Sequence, residues 1–548
     1  MRENDAVKRT SLVVCLLMCA AASAAFASRL WSVVLDFEPA FVFSHEPAAT
    51  GAPLTHGVTI LLIDGLRLDA SRQMKSLNEL RAQGADVEAQ VGTPSFSRPG
   101  RATIAVGAPP SVHGVTTNRQ KRALVIDNLI RRVGAAGGTC RIAGSKIWPG
   151  LFGADIARCG VYQADEAKEG PGAFVRQVPA VRSSQEAGIE FVMKDSATLR
   201  IADIISADFA AHEYGGSSPE YLAEVARADE TLAALVHRLD LSRETLIVTA
   251  DHGHRDAGGH GGDEPKVLAI PIVIVGAGIR PGVRLEALQA DIAPTVAALL
   301  GVAVPSGSAG SPMASILVGD EAKLIAVRAA GEAQATAFKK VVAGHLGLSQ
   351  AAADATPDWL AVVRSFRDAE ASRRLPALAI VTVLILVCLG IALRVASPDP
   401  WSVLAGVAAA LLALAGPIGP WIPAMSFSAI NYDEMLVPFF IRILTLASAT
   451  ALVATSAAMV VGHVVRKRPA TDTPAVRAGA TGLVGSAVLV LAITLWWWRY
   501  LLLDPFTLPG PNQLVEAFAL TLSVASVSGT SLAVMALLWM RRPGPPVD

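Results

Sequence analysis

Three apolar, β-branched runs in the first half of the chain stop at an aspartate: VTILLID at Val58–Asp64, IADIISAD at Ile201–Asp208 and TLIVTAD at Thr245–Asp251. Such runs read as buried strands, and the carboxyl edge of a parallel sheet is where α/β proteins place their ligands. Helical patterns follow at Ser71–Gln83 and Glu220–Leu239, and an alanine-rich amphipathic one spans Glu321–Arg374. The pattern changes at both ends. Ser11–Ser28 carries no charge, and five apolar stretches lie beyond residue 374: Leu375–Leu393, Trp401–Pro423, Ile443–Val465, Ala478–Trp498 and Ala517–Met540. Each is about 19 residues or longer, enough to cross about 30 Å of hydrocarbon. The expected organisation is an N-terminal anchor (1–36), an α/β domain (45–320), a helical connector (321–374) and a five-span membrane domain (375–542).

Loop charges set the expected orientation. Lys8 and Arg9 precede the first span, Arg466, Lys467, Arg468 and Arg477 lie between the third and fourth C-terminal spans, and Arg541 and Arg542 follow the last. Basic loops stay cytoplasmic, so six spans with both termini inside place the α/β domain on the extracytoplasmic side. The alanine-rich end of the first run also fits a signal-peptidase site; a retained anchor is the expectation. Cys140 and Cys159 have no C-x-x-C spacing, which argues against a cysteine zinc site, and would pair only in an oxidising compartment. Formal net charge is zero, so there is no basic footprint for nucleic acid.

The candidate chemistry lies where the apolar runs end. Asp251-His252 opens a loop with five glycines and a further histidine, His260. A carboxylate and two imidazoles there are what a divalent cation needs. Asp208 and His212 are one helical turn apart and can face one ion. Asp203, inside its apolar run, ranks below Asp208. Ser97 precedes Arg98-Pro99-Gly100, and proline suits the first turn of a helix. A serine so placed is either an N-cap or a nucleophile beside a bound phosphate. Lys146 and Trp148, in GSKIWPG, either line the substrate pocket or pack the loop.

Together Asp64, Ser97, Asp208-x3-His212, Asp251-His252 and His260 resemble the alkaline phosphatase superfamily. The resemblance is nearest to its type I phosphodiesterase/nucleotide pyrophosphatase and GPI ethanolamine-phosphate transferase branches. FSRPGR and TADHGHRDAGGHGG are similar to transferase motifs, as is QADIAPTVAALLGVAVP at Gln289–Pro305, while GAPPSVHGVTTN looks like a phosphodiesterase turn. The resemblance covers roughly residues 55 to 315. It implies a mostly parallel sheet flanked by helices and two divalent ions, zinc ahead of manganese. Asp64, Ser97, Asp251 and His252 would hold one ion and Asp208, His212 and His260 the other. Ser97 would be the nucleophile, and Asn118 would donate to a phosphate oxygen. His254 stands where the family has methionine and is expected to be a surface histidine; His113 is expected to make a structural hydrogen bond. The implied activity is transfer of phosphoethanolamine from a lipid, or hydrolysis of a phosphodiester, at a membrane. A sulfatase-like hydrolase is the alternative, since Ser97-Arg98-Pro99-Gly100-Arg101 fits S-x-P-x-R. Another is a scaffold or transporter with an inactive enzyme-like domain.

Overall fold

The computed structural model describes residues 2–35, 41–164 and 172–349 apart from positions 48 and 121, then 400–418, 433–465, 474–497 and 511–540, with isolated positions between. Contacts divide the chain into two units, one of residues 34–366 and one of residues 1–33 with 367–548.

The larger unit is built on one eight-stranded sheet in the order β4-β3-β5-β1-β6-β7-β2-β8. The strands are β1 (Gly57–Ile63), β2 (Ala85–Gln90), β3 (Cys140–Gly144), β4 (Gly160–Gln163), β5 (Leu199–Ile204), β6 (Glu244–Thr249), β7 (Ala269–Gly276) and β8 (Val283–Leu288). All neighbours run parallel except β7, which is antiparallel to β6 and β2. Every residue of β1 and β5 is buried, as expected of strands covered on both faces. These central strands, with β6 beside β1, carry the three apolar runs, so their carboxyl ends lie side by side. The second run breaks earlier than its hydropathy suggests: β5 ends at Ile204 and a helix, Ser206–Tyr214, carries Asp208 and His212.

Two contacts fix the active edge. Gln289 donates from Nε2 to the carbonyls of Ala250 (3.0 Å) and Asp251 (2.9 Å), pinning the chain where it leaves β6. The Ser97–Val106 helix packs on the same backbone: a β-carbon on Gly100 would lie 2.7 Å from the Asp251 carbonyl oxygen, so only glycine permits this approach. Pro99, in the first turn, costs that helix no hydrogen bond. Cys140 and Cys159 form a disulfide linking the start of β3 to the turn before β4.

The described helices of the second unit are Arg2–Leu35, Pro400–Ile418, Asp433–Val465, Pro474–Trp497 and Pro511–Met540. Among the described residues three segments are long and apolar enough to cross a membrane, Ala6–Ala25, Pro474–Ile493 and Ala517–Met540, with shorter apolar segments at Pro400–Leu412 and Ile443–Ala457. Leu12 and Leu16 pack against Val476, Ala480 and Met535, joining the N-terminal helix to the last two. The span expected at 375–393 lies largely outside the described residues, as do the basic cluster Arg466–Arg468 and Arg541-Arg542.

Candidate metal-binding active site

Asp64 follows β1 directly, Asp251 and His252 follow β6, and Asp208 and His212 rise from the helix after β5. His260 arrives from the loop beyond His252, where Ser95 and Gly261 form an isolated antiparallel bridge. Ser97 is the first residue of its helix. Phe96 is the N-cap and the Ser97 hydroxyl does not cap; Ser97 Oγ lies 3.2 Å from His252 Nε2. His252 Nε2 is 3.5 Å from Asp64 Oδ1 and 3.8 Å from Asp251 Oδ2. His260 Nε2 is 3.1 Å from His212 Nε2 and 3.9 Å from Asp208 Oδ1, and His212 Nε2 is 3.4 Å from Asp208 Oδ2. The donor atoms of Asp64, Asp251 and His252 lie within 4.8 Å of one another, as do those of Asp208, His252, His254 and His260.

These separations fit metal coordination. Zinc bound at about 2.0–2.1 Å to nitrogen and oxygen places neighbouring tetrahedral ligands roughly 3.4 Å apart. The tautomers fit as well. His252 Nδ1 lies 3.1 Å from the Gly253 carbonyl and His260 Nδ1 lies 3.1 Å from the Ser95 carbonyl. A carbonyl only accepts, so both protons sit on Nδ1 and both Nε2 lone pairs face the cluster, the arrangement of a metal-binding histidine. Burial keeps both rings neutral: it lowers the His252 pKa, and it lowers that of His260 further with help from the neighbouring imidazoles. Asp64 Oδ1 is buried and accepts no hydrogen bond. A cation is the partner such an oxygen lacks.

Arg101, fully buried, organises the carboxylates from behind. It donates to Asp64 Oδ2 (2.8 Å), Asp203 Oδ2 (3.1 Å) and Asp251 Oδ2 (2.6 Å). Burial opposes its charge, but Asp203, Asp64 and Asp251 together hold its pKa well above the ordinary value. Asp251 Oδ1 meanwhile accepts from the backbone N–H of Gly65 and His252. Burial pushes the Asp251 carboxyl well up, and the nearby Asp64 charge adds to this. Burial also works against ionised Asp208, yet His212 and His254 outweigh it and hold that carboxyl well below its usual range.

The structure therefore brings together Asp64, Ser97, Asp208, His212, Asp251, His252 and His260. Asn118 is exposed at the start of the Ser97 helix, where its Oδ1 accepts from the Arg98 N–H at 2.8 Å. His254 departs from expectation. It is fully buried, not on the surface, and its Nε2 lies 2.6 Å from Asp208 Oδ1. Arg101 was absent from the sequence-derived set although it lies four residues after Ser97, on the same helix face; that spacing was the available signal. Trp148 is buried and donates to Asp203 Oδ2 at 2.9 Å, so it packs the loop; Lys146 is exposed at the N-terminus of the Ile147–Ile156 helix. His113 accepts from the Val115 N–H at Nδ1 and donates from Nε2 to Thr103 Oγ1, the structural role expected of it.

Residues 58–123 and 175–264 match the model of the type I phosphodiesterase / nucleotide pyrophosphatase family. The catalytic subunit of human GPI ethanolamine phosphate transferase 3 is 26% identical over 293 residues, 48% of this chain and 26% of that protein. The human transferase 2 catalytic subunit is 26% identical over 302 residues, 52% of this chain and 30% of that protein. The chain thus spans less than a third of the length of these relatives. Among solved structures, murine ectonucleotide pyrophosphatase / phosphodiesterase 5 aligns at 15% identity over 45% of this chain and 96% of its own, with a TM-score of 0.36. An alkaline phosphatase superfamily protein from Vibrio parahaemolyticus aligns at 20% identity over 56% of this chain and 80% of its own, also at 0.36. Over the matched residues the sheet-bearing unit is thus similar to the type I phosphodiesterase / nucleotide pyrophosphatase family and, in sequence, to the GPI ethanolamine phosphate transferases.

Proposed function

We propose that this chain is a membrane-bound, divalent-metal-dependent phosphotransferase or phosphodiesterase with Ser97 as its nucleophile. A lipid carrying phosphoethanolamine is the favoured donor. The observation that carries the reading is the Ser97 hydroxyl 3.2 Å from His252 Nε2, within a cluster of carboxylates and imidazoles whose donor atoms converge. Asp64, Asp251, His252 and Ser97 would hold one cation and Asp208, His212 and His260 the other. Bound there, two divalent cations would lower the pKa of the serine hydroxyl and neutralise charge gathering on the phosphate oxygens.

The protein's own groups do the rest. Ser97 Oγ forms a bond to phosphorus as the bond to the donor's alcohol oxygen breaks, and that oxygen takes up a proton. The dipole of the Ser97 helix favours the anion, and Asn118, whose Oδ1 accepts from the Arg98 N–H, would donate from Nδ2 to a phosphate oxygen. Water or a second alcohol then attacks the phosphoserine, loses its proton and frees Ser97. The disulfide and the basic residues before the first span support an extracytoplasmic site on an integral membrane protein with both termini inside. The donor set, rich in imidazole, favours zinc over manganese.

The test follows the full chain after incubation with vesicles containing phosphatidylethanolamine. The Ser97 peptide should gain the mass of phosphoethanolamine, and purified protein should carry about two zinc ions per chain by elemental analysis. Ser97→Ala should lose turnover by several orders of magnitude while keeping its fold and metal. Turnover by Ser97→Ala would move the nucleophile elsewhere. A single calcium per chain would favour sulfatase chemistry, which leaves Asp208, His212 and His260 without a task.

A further inference from the structure

Among the described residues, one cation at this edge has no counter-charge. Arg98, next to Ser97, is 7% exposed. Its guanidinium makes no hydrogen bond and no ion pair among the described residues, and its Nε is wholly inaccessible without a partner. Burial lowers its pKa, and among the described residues no carboxylate raises it. Nearly every other buried arginine nearby is tied to acid: Arg67 to Asp69 and Asp256, Arg81 to Asp86, Arg101 to three aspartates. A buried guanidinium Nε without a partner is unfavourable, while the two Nη atoms keep some access to solvent, so the fork stays open to a partner.

Its position says for what. Asn118 Oδ1 fixes the Arg98 backbone N–H at 2.8 Å, in the first turn of the ten-residue Ser97–Val106 helix. The side chain runs from that turn to the loop and helix after β3, where Gly150 leaves it room. A β-carbon on Gly150 would lie 3.0 Å from Nη2 and 3.2 Å from Nη1. Since β3 neighbours β5, which neighbours β1, this loop borders the carboxyl edge on which the metal-ligand candidates stand. We infer that Arg98 is a substrate-binding residue that takes the anionic oxygens of the phosphate group presented to Ser97. The inference rests on the proposed phosphoryl chemistry and assigns that chemistry an anion receptor outside the metal cluster. A guanidinium suits the task because its planar fork offers paired donors to two oxygens of one phosphate.

The test uses the full chain in detergent with bis-p-nitrophenyl phosphate as substrate and inorganic phosphate as competing anion. Arg98→Gln should raise KM and the phosphate inhibition constant about 10- to 100-fold, with metal content unchanged, and Arg98→Lys should recover part of the loss. Gly150→Ala keeps the charge but displaces the fork. It should shift both constants in the same direction, and it carries the test if Arg98→Gln fails to fold. Constants within about twofold of wild type in variants that retain metal would overturn the inference and leave the Ser97 reading standing. A wild-type protein that cleaves no phosphodiester and is not stabilised by phosphate against heat would end both.

Discussion

One helical turn beyond the Ser97 hydroxyl, a guanidinium without access to water faces three carboxylates. Arg101 holds Asp64 and Asp251 each by Oδ2, which leaves Asp64 Oδ1 free toward His252. Three carboxylates, Asp64, Asp203 and Asp251, thus share the one guanidinium of Arg101, an imbalance that bound cations would correct. Removing one partner of a buried ionic cluster costs about 3–5 kcal/mol. Arg101→Met should lose roughly that much in denaturant unfolding, and Arg101→Lys should not restore it, because one ammonium cannot span three acids in fixed directions. Unfolding of Arg101→Met within about 1 kcal/mol of wild type would show that the aspartates do not depend on it.

At the scale of elements, the four-residue turn Pro110–His113 braces the Ser97 helix through the hydrogen bond from His113 to Thr103. Burial pushes the His113 pKa down from 6.5 to about 3. The unfolded chain therefore binds the extra proton between those values. Stability is full above about pH 6.5 and falls with acidification at about 1.4 kcal/mol per pH unit. In chelator-treated protein melted between pH 6.5 and 4, His113→Gln should flatten that slope, and equal slopes would clear His113. Elements also show how far the sequence could be read. Strands ending in Asp64 and Asp251 were legible from apolar runs broken by acids, and the Asp208–His212 pair from its spacing, because those signals are local. The antiparallel β7 and the placing of β2 between β7 and β8 were not, since pairing order leaves no trace in periodicity. His254 misled for the same reason: it sits in a polar, glycine-rich loop, and only tertiary packing puts its ring against the Gly65 backbone and Asp208.

At the scale of the whole molecule, hydropathy alone separated the sheet-bearing unit from the helical one, and each has its own packed interior. The bond between Cys140 and Cys159 gives the sheet-bearing unit a dependence on its place of manufacture. The two sulfurs, 19 positions apart in sequence, bracket the Ile147–Ile156 helix and so the Gly150 surface on which Arg98 rests. The metal-ligand candidates all lie outside that bracket. Protein made in a reducing cytosol, or a Cys140→Ser/Cys159→Ser double variant, should therefore load its cations normally yet bind phosphate more weakly. It should also be nicked by trypsin between positions 146 and 158 before the rest of the unit is cut. Equal phosphate affinity and equal protease resistance in oxidised and reduced preparations would show that the bracket is idle. Otherwise two samples with identical sequence and identical metal content would differ in catalytic quality, and the expression host would be an experimental variable.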